Sequence, residues 1–458
     1  MMAAGRVVVV GAGLTGLATA WRLSDDHDVT VLEASDRVGG EIRTVELAGT
    51  PFDVGADAFL ARQPEAEQLA RDLGFDDDDL IAPATSRVRL WIDGQLRPLP
   101  DATVLGAPTD LRSLWRSKVL GPAAFLRAAL EPLLPRRNVV GDRSVSDLVG
   151  ERFGPRVVER LVEPLLGGVY AGRADRLSAQ AAAAPIFTAA QQHRSLAAAL
   201  RRRRRQTVGD DRPVFLTLRG GLQRLTERLR SHLGERVVLG AEAVDIEKLA
   251  LGWQVRTSTG DTYPADAVVI AVPAPVATDL LRGTSREAAR ELAGIQTASV
   301  GVVTLAYPRP GVLPEAVTGS GILVPRTAGR VVKAVTVASA KWPHHAEHDA
   351  VLLRASVGRV DDDQPLRWDD DLLLDRVDRE VREMTGLHVA PSEHHIQRWW
   401  HALPQHDVGH RERIDRMRHA LGRDAPGIFI GGAALDGVGL AARARDANGL
   451  AEQVRALT

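Results

Sequence analysis

The chain has no cysteine among its 458 residues. Disulfides, thiolate nucleophiles, iron–sulfur clusters and thiolate zinc sites are therefore excluded, and nothing in the composition indicates an oxidising compartment. Long apolar runs are also missing, because the apolar residues 7–10 are followed at once by glycines. That stretch has neither the length of a membrane-spanning helix nor the layout of a signal peptide. We therefore expect a cytoplasmic protein without a targeting segment.

An excess of one charge is missing too. The formal net charge is −1 with 26% charged residues, which argues against a protein that binds nucleic acid through its phosphates. The strongest charge run extends from Arg201 to Arg205. Such a run is usually a solvated helix face, and the alternative is attraction to anionic lipid or an acidic partner. At 458 residues, the chain is also too long for one compact core, which predicts two or three lobes.

The N-terminus has the pattern of a nucleotide-binding unit. Residues Arg6 to Val10 predict a buried parallel strand, because apolar and β-branched residues run without alternation. Gly11, Gly13 and Gly16 follow at G-x-G-x-x-G spacing and open a predicted helix over 14–23. These glycines permit a tight turn, close approach of backbone to a diphosphate, and close packing of helix on strand. A glycine turn without a ligand is the alternative.

The next segment favours a flavin over a nicotinamide cofactor. A second predicted strand, 29–32, ends in Glu33, near the spacing at which a carboxylate accepts hydrogen bonds from a ribose diol. Arg37, Gly39 and Gly40 then form an R-x-G-G run, which resembles the run that follows the dinucleotide fold in a large group of flavoproteins. Nicotinamide enzymes do not need this glycine pair. FAD is therefore the expected cofactor, and a surface glutamate with a ligand-free loop is the alternative.

Later segments alternate between helix and strand patterns. A Leu/Ala-rich region from 111 to 169 predicts an inserted helical lobe of short helices separated by prolines, including Pro164. Continuous apolar residues at 267–272 predict a return to the first sheet, and 296–357 predicts a second, mostly antiparallel sheet. A last strand over 427–431 precedes a closing helix. The lobes are therefore expected to be discontinuous in sequence.

One segment carries a specific family resemblance. Residues 161–172 read LVEPLLGGVYAG and 175–178 read DRLS, which resembles the V-E-P-x-x-x-G-V-Y-A-G-x-x-x-x-L-S signature of protoporphyrinogen and coproporphyrinogen oxidases. Four other stretches agree with that family, and the matches run in order from residue 6 to about residue 440: RGGLQ at 219–223, AKWP at 340–343, LPQHDVGH at 403–410 and GVG at 437–439.

The resemblance implies an α/β fold with three lobes. A Rossmann-like FAD-binding domain is interleaved with a substrate domain built on a mixed or antiparallel sheet, and a helical domain, which contacts membrane in some members, is inserted. The expected FAD-binding segments are 1–80, 201–285 and 405–458. The expected substrate segments are 81–100 and 286–404, and the helical domain is expected over 101–200.

The resemblance also implies a reaction in haem biosynthesis. A porphyrinogen would lose six electrons to become a porphyrin, with dioxygen as acceptor and hydrogen peroxide as product. Coproporphyrinogen III is favoured over protoporphyrinogen IX, because no long membrane-inserting stretch is present. The alternatives are a flavin amine oxidase, a phytoene-desaturase-like enzyme, or a flavin-binding partner without turnover. Beyond the substrate and dioxygen, the expected partner is a ferrochelatase-type enzyme or a peripheral membrane surface, and the choice between monomer and homodimer stays open.

The family's contacts carry over to individual positions. The cofactor is expected to be contacted by Gly11, Gly13, Leu14, Thr15, Gly16, Glu33, Arg37, Gly39, Gly40, Gly55, Ala56, Val244, Gly432 and Val438. The substrate is expected to be contacted by Arg87, Gly168, Leu323, Lys333 and Trp342. No side chain is expected to act as acid or base, because hydride transfer to a flavin depends on positioning.

Some positions depart from the family pattern. Relatives commonly continue after Gly439 with Ile-Pro-Asp/Ala-Cys-Ile, whereas this chain reads LAARA at 440–444, and His406 stands where tyrosine is usual. These departures put the contacts at the flavin edge in doubt. His344, His345 and His348 are expected to lie in an ordinary surface loop, so no metal site is predicted.

Overall fold

A five-stranded parallel sheet carries the N-terminal glycine turn in the computed structural model, which describes residues 5–136, 138–206, 212–346 and 348–457. Its strands lie in the spatial order Val237–Leu239, Asp28–Glu33, Arg6–Val10, Ala267–Ile270 and Ile428–Ile430. All neighbouring pairs are parallel. Because these strands come from distant parts of the chain, this lobe is discontinuous in sequence, as predicted.

The first strand lies at the centre of two cores. Val7 and Val9 face one apolar cluster with Leu17, while Val8 and Val10 face another with Ile246. Successive side chains of a strand point to opposite faces, so a strand covered on both faces has no polar positions. Each fully buried valine contributes about 1.5–3 kcal/mol to folding.

Helices cover one face of this sheet, and a three-stranded antiparallel sheet with further helices covers the other. The first face includes the helices Leu14–Leu23, Pro64–Asp72, Gln223–Leu233 and Leu440–Leu457. The second face includes the strands Ala243–Lys248, Trp253–Thr257 and Thr262–Ala265, and the helices Ala274–Leu281, Arg286–Ala293, His410–Asp424 and Ala433–Asp436. The first helix has the bounds that the glycine pattern predicts.

A seven-stranded sheet forms the second lobe. Its strands lie in the order Glu393–Pro404, Thr297–Pro308, Ala350–Val357, Val332–Val337, Gly321–Leu323, Val88–Ile92 and Gln95–Pro98. Only one of its neighbouring pairs is parallel, that of Gly321–Leu323 with Val88–Ile92. The helix Asp370–Thr385 packs Leu373, Val377 and Val381 into the core of this sheet. The predicted antiparallel sheet is therefore present, and it is larger than the pattern over 296–357 indicates.

The inserted lobe is helical, as predicted. Its helices are Leu111–Ser117, Pro122–Ala129, Val145–Phe153, Pro155–Val157, Glu163–Tyr170, Ala179–Ala182, Ala184–Gln192 and Leu196–Gln206. The expectation that Pro164 separates two helices is wrong, because Pro155–Val157 and Glu163–Tyr170 are joined through a π-helical turn, Val158–Val162. A proline lacks an N–H group and clashes with the preceding turn of an α-helix, and the wider turn accommodates it.

Short elements connect the lobes. They are the strand pairs Thr44–Leu47 with Thr50–Asp53 and Thr103–Val104 with Ala107–Pro108, the three strands Phe59–Leu60, Phe215–Leu218 and Leu80–Ile81, and the helices Ala338–Lys341 and Pro343–Ala346. Two predicted domain boundaries fall inside elements. The boundary at residue 80 divides Leu80–Ile81, and the boundary at residue 200 divides the helix Leu196–Gln206, because the arginine run continues that helix. Within the described ranges, no helix is both long enough and apolar enough to cross a bilayer.

Candidate functional site

The three glycines of the first turn have different surroundings. A Cβ atom on Gly16 would lie 1.9 Å from the carbonyl oxygen of Gly11, so the helix packs directly against the turn. Gly11 has a φ of +102°, and a Cβ there would meet the carbonyl oxygen of Ala271 at 2.6 Å. A Cβ on Gly13 would meet no protein atom within 4 Å. Gly11 and Gly16 therefore serve the protein's own packing, whereas Gly13 faces open space.

The helix that starts after Gly13 presents free donors to this space. Its first residue is Leu14, and no side chain caps its N-terminus. The first N–H groups of a helix have no partner within the helix and carry a partial positive charge, which favours an anion. Thr15 lies in this first turn, and its buried hydroxyl has no hydrogen-bond partner among the described residues.

Glu33 is fixed at the end of the second strand. Its Oε2 accepts a hydrogen bond from the Ala12 N–H at 2.7 Å, and its Oε1 accepts from the Ser35 N–H at 3.0 Å and hydroxyl at 2.7 Å. A carboxylate has about four acceptor positions, so Glu33 can still accept hydrogen bonds from a ligand. This arrangement fits a ribose diol.

The R-x-G-G loop lies on the glycine turn. The Gly39 N–H donates to the Ala12 carbonyl at 2.8 Å, and a Cβ on Gly40 would lie 3.4 Å from the Gly13 Cα. Arg37 shapes this loop through its guanidinium, which donates to the carbonyls of Val38, Gly40 and Ile42 at 2.7–3.3 Å. The same group lies 5.8 Å from the Trp399 ring. Arg37 thus contributes to the site mainly by holding the glycines in place.

A cavity of about 290 Å³ opens at these elements. Five of the residues predicted as cofactor contacts line it: Gly11, Gly13, Glu33, Gly40 and Gly432. Val244 does not line the cavity and is 47% exposed, although its neighbour Ala243 is part of the wall. An uncapped helix, an open glycine and a carboxylate suit a diphosphate and a ribose, so the residues present fit the ADP half of FAD.

Gly55 and Ala56 lie against the R-x-G-G loop. The Ala56 N–H donates to the Glu41 carbonyl at 3.0 Å, and a Cβ on Gly55 would lie 1.8 Å from the same oxygen. The Trp399 indole packs on Gly55 and donates to the Val54 carbonyl at 2.9 Å. The segment is therefore fixed by contacts that admit only a glycine at position 55.

A polar cluster anchors the same segment from the seven-stranded sheet. Arg354 donates to the Gly55 carbonyl and pairs with Asp57 at 3.0 Å, and Lys341 pairs with Asp57 at 3.1 Å. Burial by itself raises the pKa of Asp57, but the two cations bring it to about 2. Burial raises the pKa of the nearby Asp53 to about 7, although its carboxylate accepts hydrogen bonds from the Thr44 hydroxyl and the Leu222 N–H.

Three of the predicted substrate residues lie close together. A Cβ on Gly168 would lie 3.8 Å from the Leu323 side chain, and Leu323 packs on the helical lobe together with Val438. Lys333 lines a small cavity beside Gly167, and its Nζ donates to the Gly358 carbonyl at 2.8 Å. Burial, with Arg359, Arg354 and Arg326 nearby, lowers the pKa of Lys333 to about 7.

The other two predicted substrate residues lie apart from this group. Arg87 is exposed and precedes the strand Val88–Ile92, and its guanidinium reaches the Thr318 carbonyl at 3.4 Å. Trp342 is 3% exposed and packs with Phe52 in the core beneath the seven-stranded sheet. The expectation of a surface loop for the following histidines is wrong at His345, which is buried 5.5 Å from the Phe52 ring.

The helical lobe meets the C-terminal segment at His406. The Gln405 side chain donates to the Tyr170 carbonyl at 2.8 Å, and the His406 ring lies edge-on to Tyr170 at 5.7 Å. His406 Nε2 also lies 3.1 Å from the Ala433 carbonyl oxygen. Burial lowers the pKa of His406 to about 4. The His410 ring stacks on His406 with ring centroids 4.1 Å apart, and it lowers this pKa further. His406 is therefore neutral and joins the signature helix to the segment that starts at Gly432.

Gly432 is held by a residue that the sequence pattern does not mark. Its φ is +116°, and its N–H donates to the Asp446 carboxylate at 2.5 Å. Burial raises the pKa of Asp446 to about 6, and the Gly432 N–H opposes that rise. Arg354 and Trp399 are distant in sequence from the cofactor motifs, and Asp446, 14 residues after Gly432, belongs to none of them, so no local pattern could have identified these three residues.

A larger groove lies elsewhere. It has a volume of about 1080 Å³ and runs between the helices His410–Asp424 and Leu440–Leu457, beside the edge strand Ile428–Ile430. His406 and Asp446 reach its wall, but none of the residues predicted to contact the cofactor or the substrate lines it. We therefore place the functional site at the smaller cavity, where the glycine turn and the uncapped helix meet.

The chain is similar to known proteins over nearly its whole length. The chain matches the family described as flavin containing amine oxidoreductase over residues 14–444. It is similar to the coproporphyrinogen III oxidase of Mycobacterium tuberculosis, with 36% identity over 95% of this chain and 94% of that protein. The coproporphyrinogen III oxidase of Bacillus subtilis is 32% identical over the same shares of the two chains.

Solved structures have the same fold. A crystal structure from Exiguobacterium sp. 255-15, described as a presumed protoporphyrinogen oxidase, superimposes with a TM-score of 0.90 at 31% identity over 100% of both chains. Cyclohexylamine oxidase from Brevibacterium oxydans IH-35A superimposes with a TM-score of 0.71 at 15% identity, over 99% of this chain and 100% of that one. The second likeness concerns the fold alone.

Proposed function

Because the chain belongs to the flavin containing amine oxidoreductase family and uses FAD as its cofactor, we propose that it oxidises a porphyrinogen in haem biosynthesis. Coproporphyrinogen III is the favoured substrate and protoporphyrinogen IX the second candidate. The observation that carries this proposal is the position of the signature helix Glu163–Tyr170, which packs beside Leu323 and Lys333. The relatives named coproporphyrinogen III oxidase support it over nearly the whole chain.

The surroundings of that helix suit a macrocycle fringed with carboxylates. Gly168 and Leu323 offer an apolar wall, and Val438 packs on the same lobe from the C-terminal segment. A porphyrinogen has an apolar ring and anionic side chains, so it needs a broad apolar surface with a few cations. Lys333 and the exposed Arg87 are the cations that we assign to its carboxylates.

The chemistry requires positioning and no nucleophile. Bound FAD would supply the hydride acceptor for a methylene bridge, with dioxygen as the final electron acceptor, so removing six electrons and six protons would consume three O₂ and release three H₂O₂. The chain's task is to hold the substrate carbon in place and to exclude water from the contact. We assign no side chain as acid or base.

Relative oxidation rates test the substrate. Porphyrins fluoresce and porphyrinogens do not, so the holoenzyme is mixed aerobically with each porphyrinogen and the fluorescence is followed. We expect a larger kcat/KM for coproporphyrinogen III than for protoporphyrinogen IX. A larger kcat/KM for protoporphyrinogen IX would make protoporphyrinogen IX the preferred substrate. Absence of turnover with both, together with turnover of a primary amine, would favour an amine oxidase instead.

We also propose that the protein works at the cytoplasmic face of the membrane as a peripheral protein. Trp115, Leu126 and Leu133 in the helical lobe are more than half exposed, at 55%, 61% and 72%. The arginine run lies on the helix Leu196–Gln206, and Arg201 Nε donates to the Thr109 carbonyl at 2.6 Å, just before the helix Leu111–Ser117 that carries Trp115. Apolar side chains next to cations suit an anionic lipid surface.

Vesicle flotation tests this attachment. We expect the wild-type protein to float with vesicles that contain anionic phosphatidylglycerol, and we expect L126E/L133E to remain at the bottom of the gradient. Equal flotation of both proteins would exclude this surface.

A ferrochelatase-type enzyme, which consumes a porphyrin, is the protein partner that we propose. A mass measurement in solution decides between monomer and homodimer.

A further inference from the structure

The cofactor cavity has an unexpected charge balance. Among the described residues that line it, the charged ones are three carboxylates and one cation: Glu33, Glu41, Glu242 and Arg443. The diphosphate of FAD is anionic, so nearby carboxylates oppose its binding and a cation favours it. The Glu33 carboxylate accepts hydrogen bonds, which explains its charge. A carboxylate at Glu41 has no favourable contact to make with a diphosphate.

Arg443 lies in the first turn of the closing helix Leu440–Leu457 and reaches into this cavity. Its side chain is 16% exposed, and its ion-pair partner is the Glu41 carboxylate at 3.8 Å, beyond hydrogen-bond distance. Its buried Nε has no hydrogen-bond partner within the described part of the chain. A buried donor without an acceptor is energetically unfavourable, so this side chain can donate to an acceptor that the protein does not supply.

We propose that Arg443 binds the diphosphate of FAD and that Glu41 orients its guanidinium. Arginine suits this role because its planar fork forms two parallel hydrogen bonds to phosphate oxygens. Gly11, Gly13 and Gly432 line the same cavity, so the guanidinium faces the space that the glycine turn leaves open. The proposal goes beyond the choice of substrate and rests only on FAD as the cofactor.

Titration of the apoprotein with FAD, followed by quenching of flavin fluorescence, tests the proposal. We expect Arg443→Gln to raise the Kd for FAD about tenfold to hundredfold, the range that a charge-assisted hydrogen bond represents. Arg445→Gln is the matched control, because Arg445 lies on the same helix, pairs with Glu65 at 2.6 Å and lines the larger groove. We expect its Kd to stay within about twofold of wild type.

A second pair of measurements separates diphosphate binding from a purely structural role. In a Glu41→Gln background, Arg443 has no carboxylate to neutralise, and we still expect Arg443→Gln to weaken FAD binding about tenfold or more. Arg443→Gln should also weaken binding of ADP and leave binding of adenosine unchanged. No effect in the Glu41→Gln background, or an equal loss for adenosine and ADP, would overturn the proposal.

The folded state of each apoprotein is checked by circular dichroism before titration. If Arg443→Gln does not fold, Arg443→Lys decides the question, because it keeps the charge and loses the bidentate geometry. We then expect weaker binding of FAD and ADP with adenosine unaffected. Wild-type affinity for FAD in Arg443→Lys would contradict a bidentate contact.

Discussion

A Cβ atom on Gly16 would lie 1.9 Å from the carbonyl oxygen of Gly11, whereas a Cβ on Gly13, in the same turn, would meet no protein atom within 4 Å. Two glycines of one motif therefore serve different partners. Gly16 is required by the fold, and we propose that Gly13 is required by the diphosphate that the turn would bind.

Alanine at these two positions should separate stability from cofactor binding. We expect Gly16→Ala to destabilise even the apoprotein, by about 1–3 kcal/mol or more, because backbone must move. Gly13→Ala should leave the apoprotein's melting temperature unchanged and lower its flavin content, because the added methyl occupies the space of the diphosphate. Thermal melts and flavin-to-protein absorbance ratios check this, and equal stability loss in both variants would refute it.

Asp57 and Asp53 should respond to pH in opposite directions. The folded pKa of Asp57 is about 2, below its ordinary value, so its contribution of about 2 kcal/mol is complete above about pH 4 and is lost as pH falls toward 2. The folded pKa of Asp53 is about 7, above its ordinary value, so its carboxyl favours folding below about pH 4 and this contribution is lost as pH rises to 7.

Urea unfolding of two variants checks these signs. At pH 8, Asp57→Asn should lower the free energy of unfolding and leave Lys341 and Arg354 without their partner. Asp53→Asn should be neutral or stabilising at pH 8, because an amide has no charge to bury. If Asp53→Asn lowers the free energy of unfolding more than Asp57→Asn does at pH 8, the two environments are misassigned.

Arg87→Ala should affect the substrate and not the cofactor. We expect KM for coproporphyrinogen III to rise about tenfold with flavin content intact, since one charge-assisted contact is lost. Arg89→Ala is the matched control, because Arg89 is two residues along the chain and pairs with Glu315 at 2.5 Å. An unaltered KM in Arg87→Ala would remove this arginine from the site.

Lys333 should give substrate binding a dependence on pH. Its pKa is lowered to about 7, so the ammonium loses its charge as pH rises through neutrality. We expect KM for coproporphyrinogen III to rise over this range in the wild type, and the rise to disappear in Lys333→Met. Lys248→Met, a change at an exposed lysine over Trp253, should keep the wild-type profile. Identical profiles in all three proteins would exclude Lys333 as a carboxylate contact.

Local patterns predicted the parts of the fold whose residues are contiguous. The strand Arg6–Val10 and the helix Leu14–Leu23 lie where the apolar run and the glycine spacing predict them. Pro164 was misinterpreted, because a helix can continue through a proline when a π-helical turn precedes it. No pattern in the sequence indicates that turn.

The site was only partly predictable for the same reason. Gly11, Gly13, Glu33 and Gly40 carry a motif spacing, and these residues line the cavity. Arg354 and Trp399 reach Gly55 from strands about 300 residues away or more, and they were missed because tertiary contacts have no sequence spacing. The roles of Lys333 and Arg87 remain predictions.

The central claim is that the glycine turn would hold FAD and that the bound flavin would supply the electron acceptor for a porphyrinogen. The most direct test is to mix the FAD-loaded protein with coproporphyrinogen III in the absence of oxygen and to record the visible absorbance band of the oxidised flavin. The account predicts that the flavin band bleaches as the porphyrin spectrum appears. A flavin spectrum that stays unchanged with both porphyrinogens would contradict it.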